Sequence, residues 1–331
     1  MSVTAAIAIG LVLIGCCTNV VFLELIIRYD SGAGNLITFG QFLFIALEGF
    51  IFTADFGRKK PVIPIAKYAT MVAFFFTVSV SNNFCFYFKI PLPLHMIFRA
   101  GSLIANMILG VIILKKQYPF SKYLSVLMIT FGIFLCTLLS ARDVKSDDED
   151  EDNVTYKYVM WLCGIGVLTF ALFLSARMGL YQEVLYSSYG KHPREALFYT
   201  HALPLAGFLL IGKDIYNHCV ILSQSESFEA FGVTIPEQWL YFLGNVVTQY
   251  VCIRGVFILT TECPSLVVTL VITLRKFISL IFSILYFKNP FTIGHWIGTF
   301  MVFSGVLLFT EAIQKLYSAT FAPKKEAVKV D

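Results

Sequence analysis

Ten times along this chain a mainly apolar stretch of roughly 17 to 25 residues recurs, each joined to the next by a shorter polar segment. A helix needs about 20 such residues to cross the hydrocarbon core of a bilayer. Within that core every backbone N–H and C=O must find its partner inside the segment, which favours helices over open strands. The repeated stretches therefore predict an all-α, multi-pass membrane protein of about ten transmembrane helices. The spans are read at 3–27, 36–53, 67–88, 93–114, 123–140, 158–182, 196–212, 237–260, 265–287 and 291–313. Composition agrees: 57% of the residues are hydrophobic and 14% charged, against about 45–50% and 25% in soluble domains.

Orientation follows from the basic residues. An even number of spans puts both termini on one side. That side collects thirteen Lys and Arg, among them Arg58, Lys59, Lys60, Lys115, Lys116, Lys191 and Arg194, whereas the opposite side has seven. The bias puts both termini in the cytosol. No basic region precedes the first apolar run, and Val3 to Ile27 is longer than a signal-peptide core, so it is read as the first span. Cys16, Cys17, Cys85, Cys136, Cys163 and Cys252 fall within apolar stretches, where they are expected to behave as small hydrophobes. Adjacent on one helix, Cys16 and Cys17 point to different faces, which speaks against a bridge between them.

The acidic run Ser146 to Asp152 (SDDEDED) separates the first five spans from the last five. It reads as a solvated linker, with a weak calcium site as the sharper alternative. Asn153-Val154-Thr155 beside it is a glycosylation sequon close to the next span. Pro119-Phe120-Ser121 with Gly132 resembles Pro290-Phe291-Thr292 with Gly305. The match suggests a duplication: 1–145 as a first five-helix repeat, 146–157 as linker, 158–313 as a second repeat, and 314–331 as a basic tail. Five is odd, so the halves would have opposite topology, as in alternating-access transporters with a midplane site.

Charges inside the spans point to that site. Of 25 basic residues, five lie in spans: Arg99, Arg177, Arg254, Arg275 and Lys276. Arg177 and Arg254 lie near helix ends, where their long stems can snorkel to the interface. Arg275-Lys276 occupies the centre of span 9, where each charge costs at least about 2.5–3.5 kcal/mol. Two in-span acids, Glu24 and Glu48, could neutralise part of this in a structural network. The surplus positive charge reads instead as an anion cavity, suited to phosphate through an arginine fork and a lysine point charge. Asn19, Gln41, Asn82, Asn83, Asn106, Asn245 and Gln249 are polar groups in apolar surroundings, ordinarily helix-to-helix hydrogen bonds. Phe198-Tyr199-Thr200-His201 opens span 7 with aromatic faces that could stack on a base, or serve as an interfacial belt.

Gly15 to Glu24 (GCCTNVVFLE), Pro93 to Met107 (PLHMIFRAGSLIANM), Arg254 to Cys263 (RGVFILTTEC) and Thr269 to Phe287 (TLVITLRKFISLIFSILYF) resemble the nucleotide-sugar transporter family. The resemblance runs from about Gly10 to Glu311. It implies a ten-helix fold of the drug/metabolite transporter type in a Golgi or endoplasmic reticulum membrane. It also implies antiport of UDP-sugars (UDP-N-acetylglucosamine, UDP-xylose) into the lumen against UMP. Lys276 stands where the family's span-9 lysine meets the nucleotide phosphate region. Phe198-Tyr199-Thr200-His201 stands where relatives carry a base-reading F-Y-N-N motif. The aromatic pair is kept and both asparagines are replaced, which departs from the guanine-reading pattern.

On this reading Arg99 and Lys276, helped by Arg275, hold the diphosphate. Tyr199 and His201 hold the base beside Phe198, and Glu24, Gln41 and Asn83 orient or neutralise. The expected partners are nucleotide sugars, a nucleoside monophosphate, the lipid bilayer and a second copy in a homodimer, with no nucleic acid and no cofactor or metal. The alternative is a membrane enzyme using a nucleotide-sugar or lipid-phosphate donor. Such chemistry needs grouped metal-binding carboxylates or a His-based pair. Here the in-span acids are single and His95, His192, His201, His218 and His295 lie far apart in sequence.

Overall fold

The computed structural model describes residues 3–146, 151–190, 192–230, 233–262 and 265–311. Its helices are α1 (Val3–Tyr29), α2 (Gly34–Phe52), α3 (Ile65–Phe84), α4 (Leu92–Ala100), α5 (Ser102–Leu114) and α6 (Phe120–Ser146). After the acidic run come α7 (Glu151–Tyr189), α8 (Pro193–Ala202), α9 (Gly212–Ser223), α10 (Glu237–Glu262), α11 (Ser265–Phe287) and α12 (Ile293–Phe309). Among the described residues nine helical segments are long and apolar enough to cross a membrane, and α12 is a shorter apolar helix. The chain is thus an all-α multi-pass membrane protein.

Two spans are broken. Span 4 turns at Gly101 between α4 and α5, directly after Arg99. Span 7 runs from Arg194 to Ser223, beyond the expected 196–212, and its middle, Leu203–Ile211, is a 3-10 helix. Pro204 there lacks the N–H an α-helix would use. In the segment that follows, Ser227–Ala230 and Val233–Pro236 form an antiparallel hairpin. Helix α7 starts at Glu151, inside the stretch expected to be linker. Residues 147–150 of the acidic run and the whole tail, 314–331, lie outside the described residues.

In lipid, helices gain nothing from hiding apolar surface, so association rests on close packing and interhelical hydrogen bonds. Both are visible. Helix α1 lies along α10: a Cβ on Gly15 would meet the Cys252 backbone N at 3.0 Å, and one on Gly255 would meet that of Val12 at 3.0 Å. Helix α6 lies along α12 through Gly132, Gly298 and Gly305, the first two backbone against backbone. Asn19 and Asn245 each donate to the other's carbonyl oxygen, at 2.8 and 3.1 Å, and tie α1 to α10. Such bonds contribute roughly 0.6 kcal/mol each.

The two ends of the bundle differ. At the end away from the N-terminus one apolar cluster joins α4, α6, α7, α11 and α12 through Leu94, Ile97, Ile133, Trp161, Ile284 and Val302, and a second joins α1, α2 and α9 through Ile26, Ile37 and Leu222. A polar tie closes the same end. His218 holds Asp30 through Nδ1 at 2.6 Å and the Tyr87 hydroxyl through Nε2 at 2.7 Å. Asp214 accepts from Tyr87 at 2.9 Å and from Asn35 at 3.0 Å. At the N-terminal end the apolar contacts fall into separate groups. Ala8, Val12, Leu259 and Val271 form one, and Tyr68, Met71, Leu185 and Ala196 form another. Helix α4 packs on α11, whereas past Gly101 α5 turns to α7.

Candidate functional site

The point where α4 and α5 leave α11 is where Arg99 and Lys276 stand. They belong to different helices, yet the charge of Arg99 bears on Lys276 and on Arg275. Arg99 and Lys276 are also exposed, although both lie mid-span between buried neighbours such as Ile97 and Leu280. The shared field places them near one another inside the bundle. Arg275 is half-buried behind Lys276. Its Nη1 donates to the Cys252 sulfur at 3.6 Å, while its Nε is buried with no hydrogen-bond partner.

Among the described residues no ion pair or carboxylate contact reaches Arg99, Arg275 or Lys276. Glu24 and Glu48, the candidate neutralising acids, are both used elsewhere. Glu24 pairs with Arg28 at 3.3 Å, accepts from Ser283 at 2.5 Å and from Asn289 at 2.7 Å, and so ties α1 to the end of α11. Glu48 accepts from the Tyr250 hydroxyl at 3.0 Å and lies 3.8 Å from Arg254. Arg254, read as a snorkelling residue, is therefore half of an ion pair. Three uncompensated cations around one cavity repel one another, and a bound polyanion relieves that repulsion.

The remaining site residues fall into two groups. Gln41 donates to Asn245 Oδ1 at 2.7 Å, and Asn83 donates to Thr38 at 2.7 Å and to Asn35 at 3.3 Å. These are helix-to-helix bonds of α2. On α8, Tyr199 stacks on Tyr68 at 5.0 Å. His201 is buried between Phe42 and Phe75, with Nδ1–H donating to the Leu197 carbonyl at 2.7 Å. Phe198 is buried beside Tyr199. Both Phe198 and Tyr199 border a cavity of about 320 Å³ at the N-terminal end of the bundle. No hydrogen bond, ion pair or ring contact among the described residues joins this α8 group to the three cations. Nor do the described residues contain a group of three or more His, Cys, Asp or Glu able to hold a metal.

One neighbour of the cations escaped the sequence reading. Cys16 of α1 and Cys252 of α10 form a disulfide, although both were expected to be free apolar residues. The pairing became possible because Gly15 and Gly255 let the two backbones approach, to 4.8 Å between the cysteine Cα atoms. Cys17, on the other face, receives a hydrogen bond from Ser279 at 3.3 Å and is free. Under non-reducing denaturing conditions, maleimide–polyethylene glycol should leave Cys16 and Cys252 unlabelled. After reduction the wild type should gain two further labels, and a Cys16→Ser/Cys252→Ser double variant none. Equal labelling before and after reduction of the wild type would mean both thiols are free.

Residues 4–313 match the UAA transporter family. The chain is 59% identical over 327 residues to the nucleotide sugar transporter SLC35B4 of Homo sapiens, covering 98% of this chain and 99% of that one. It is 61% identical over 316 residues to the UDP-xylose and UDP-N-acetylglucosamine transporter of Danio rerio, covering 94% and 95%. It is also 54% identical over 329 residues to the endoplasmic reticulum GDP-fucose transporter of Drosophila melanogaster, covering 96% and 94%.

Proposed function

Since the chain belongs to the UAA transporter family and is a nucleotide-sugar transporter rather than an enzyme, we propose that it carries UDP-sugars by holding their diphosphate between Arg99, Arg275 and Lys276. The observation that carries this reading is three mid-span cations from two helices that feel one another's charge and have no carboxylate partner among the described residues. A diphosphate brings the negative charge they lack. Arginine offers it a planar fork and lysine a mobile point charge. The relative named for UDP-xylose and UDP-N-acetylglucosamine supports these two sugars as cargo.

Exchange follows from the same electrostatics. The empty cavity is a cluster of like charges, and closing it without an anion forces them into a drier medium, where repulsion grows. Loaded with UDP-sugar one way and UMP the other, the cavity closes around a compensated charge. The pairing of helices supports a five-plus-five arrangement for this motion: α1 with α10 mirrors α7 with α3, and α6 with α12 joins the last helix of each half. Residence in a Golgi or endoplasmic reticulum membrane with cytosolic termini agrees with the basic-residue bias and with the name of the fly relative.

That name also favours a second reading, a guanine nucleotide sugar, at 54% identity. One experiment separates the two. Purified protein in liposomes preloaded with UMP, GMP or nothing is offered labelled UDP-N-acetylglucosamine, UDP-xylose and GDP-fucose. UDP-sugar uptake dependent on internal UMP is the expected result. GDP-fucose uptake driven by GMP would select the second reading, and equal uptake into empty vesicles would remove the exchange mechanism.

A further inference from the structure

We propose that the cavity of about 320 Å³ at the N-terminal end of the bundle is a second anion site, where Lys59, Lys60 and Arg194 catch a phosphate group ahead of the deep cluster. The proposal rests on the transport reading for its role, but its chemistry stands on the cavity alone. The volume lies within the range of small-ligand pockets. Lys59, Lys60, Arg194 and His192 line it together with Phe198 and Tyr199.

One carboxylate, that of Glu195, also lines the space, and it is already committed. It accepts from the Val62 N–H at 2.9 Å, the Ile63 N–H at 3.0 Å and the Tyr68 hydroxyl at 3.0 Å. Glu195 therefore acts as a strut that fastens the basic loop after α2 onto α8. Three donors occupy it, so it is poorly placed to pair with Lys59 or Lys60. Arg194 is held over the Phe257 ring, 5.5 Å from its centroid, which orients its guanidinium without neutralising it.

The loop is shaped to return the lysines to this place. Asp55, Phe56 and Gly57 all have positive φ, at 48°, 54° and 82°. Such a conformation is costly for a bulky residue like Phe56 and persists where surrounding contacts impose it. Phe56 N–H donates to the Phe50 carbonyl at 2.9 Å and Lys59 N–H to the Ala54 carbonyl at 3.1 Å, which closes the turn. Cations at the mouth of a cleft also raise the local concentration and on-rate of an anion, in a salt-dependent way.

Phosphate can reach this mouth on a dissolved nucleotide or on a phosphoinositide headgroup, and the test separates the two. Lys59→Gln/Lys60→Gln and Arg194→Gln variants, checked for wild-type elution, are reconstituted in phosphatidylcholine vesicles. UDP-N-acetylglucosamine uptake is then measured across concentration at two ionic strengths. For a nucleotide station we expect KM to rise about 5- to 30-fold with kcat within about twofold, and the salt dependence of kcat/KM to flatten. For a lipid site, uptake in phosphatidylcholine is unchanged, while binding of phosphatidylinositol 4-phosphate, read by native mass spectrometry, falls at least about fivefold in both variants. Unchanged KM and salt dependence together with unchanged lipid binding would overturn the proposal. If the wild type itself took up no nucleotide sugar, the transport reading would fail, and the lipid arm would still decide the pocket.

Discussion

Lys276→Ala is expected to abolish nucleotide-sugar exchange while leaving the protein as stable as the wild type, or more so. The two halves of this result have one cause. Lys276 is exposed, makes no hydrogen bond or ion pair among the described residues, and feels the charges of Arg99 and Arg275. Removing it costs the fold no contact and relieves repulsion, so the melting temperature should hold or rise. Removing it from the loaded site takes away a charge-assisted contact to a desolvated phosphate, worth about 2–5 kcal/mol. At 1.4 kcal/mol per decade this is roughly a 30-fold loss or greater in kcat/KM. Lys276→Arg keeps the charge with another shape and should retain part of the exchange. Arg275→Ala differs, because its side chain touches Cys252 at the α1–α10 contact and its loss should also loosen that seam. Counterflow in proteoliposomes and melting of the detergent-solubilised protein give the two readouts. Exchange by Lys276→Ala with unchanged KM and kcat would end the assignment of this residue to the phosphate.

The fold was legible where a single physical rule governed it. Membrane crossing needs length and apolarity, and both are plain in α1, α6 and α11. The breaks were harder. Gly101 and Pro204 are visible in sequence, but whether a glycine or proline bends, breaks or merely sits in a helix depends on its neighbours. Among the site residues the intramembrane cations stood out, because an uncompensated charge in lipid demands a reason. Their partners did not. Glu24 has the right charge for Lys276, yet it lies about two turns further along, level with Ser283, and answers Arg28 on its own helix and Ser283 and Asn289 across the bundle. Nothing in the linear order distinguishes these choices. Likewise His218 is one of five histidines scattered through the chain, and only the packing of α9 brings it between Asp30 and Tyr87. The cysteine pair failed for a related reason. The two faces of α1 were read correctly, but the close approach set by Gly15 and Gly255 belongs to two distant segments at once.

The seam between α6 and α12 should be the least forgiving place in the bundle. A Cβ on Gly298 would lie 2.6 Å from the Cys136 sulfur and 2.8 Å from the Gly132 carbonyl oxygen. From the other side, a Cβ on Gly132 would lie 2.5 Å from the Gly298 carbonyl oxygen. Backbone cannot rotate away as a long side chain can, so the helices themselves must separate. With no hydrophobic term to reward them for staying together in lipid, separation forfeits the packing along the whole seam, Gly305 against Ser125 included. Gly298→Ala should therefore destabilise by about 1–3 kcal/mol. Gly298→Val adds two more carbons and should prevent a folded monodisperse protein from being recovered. Gly166 on α7 supplies the matched control, since a Cβ there meets nothing within 4 Å. Gly166→Ala should be neutral or stabilise by up to about 1 kcal/mol, because alanine gives up less backbone freedom in a helix. The same substitution thus takes opposite signs at two helical glycines. Thermal melting of both variants in one detergent compares them directly. A Gly298→Ala protein as stable as Gly166→Ala would mean that α6 and α12 do not meet backbone to backbone. The tenth helix would then be held on by something other than close packing.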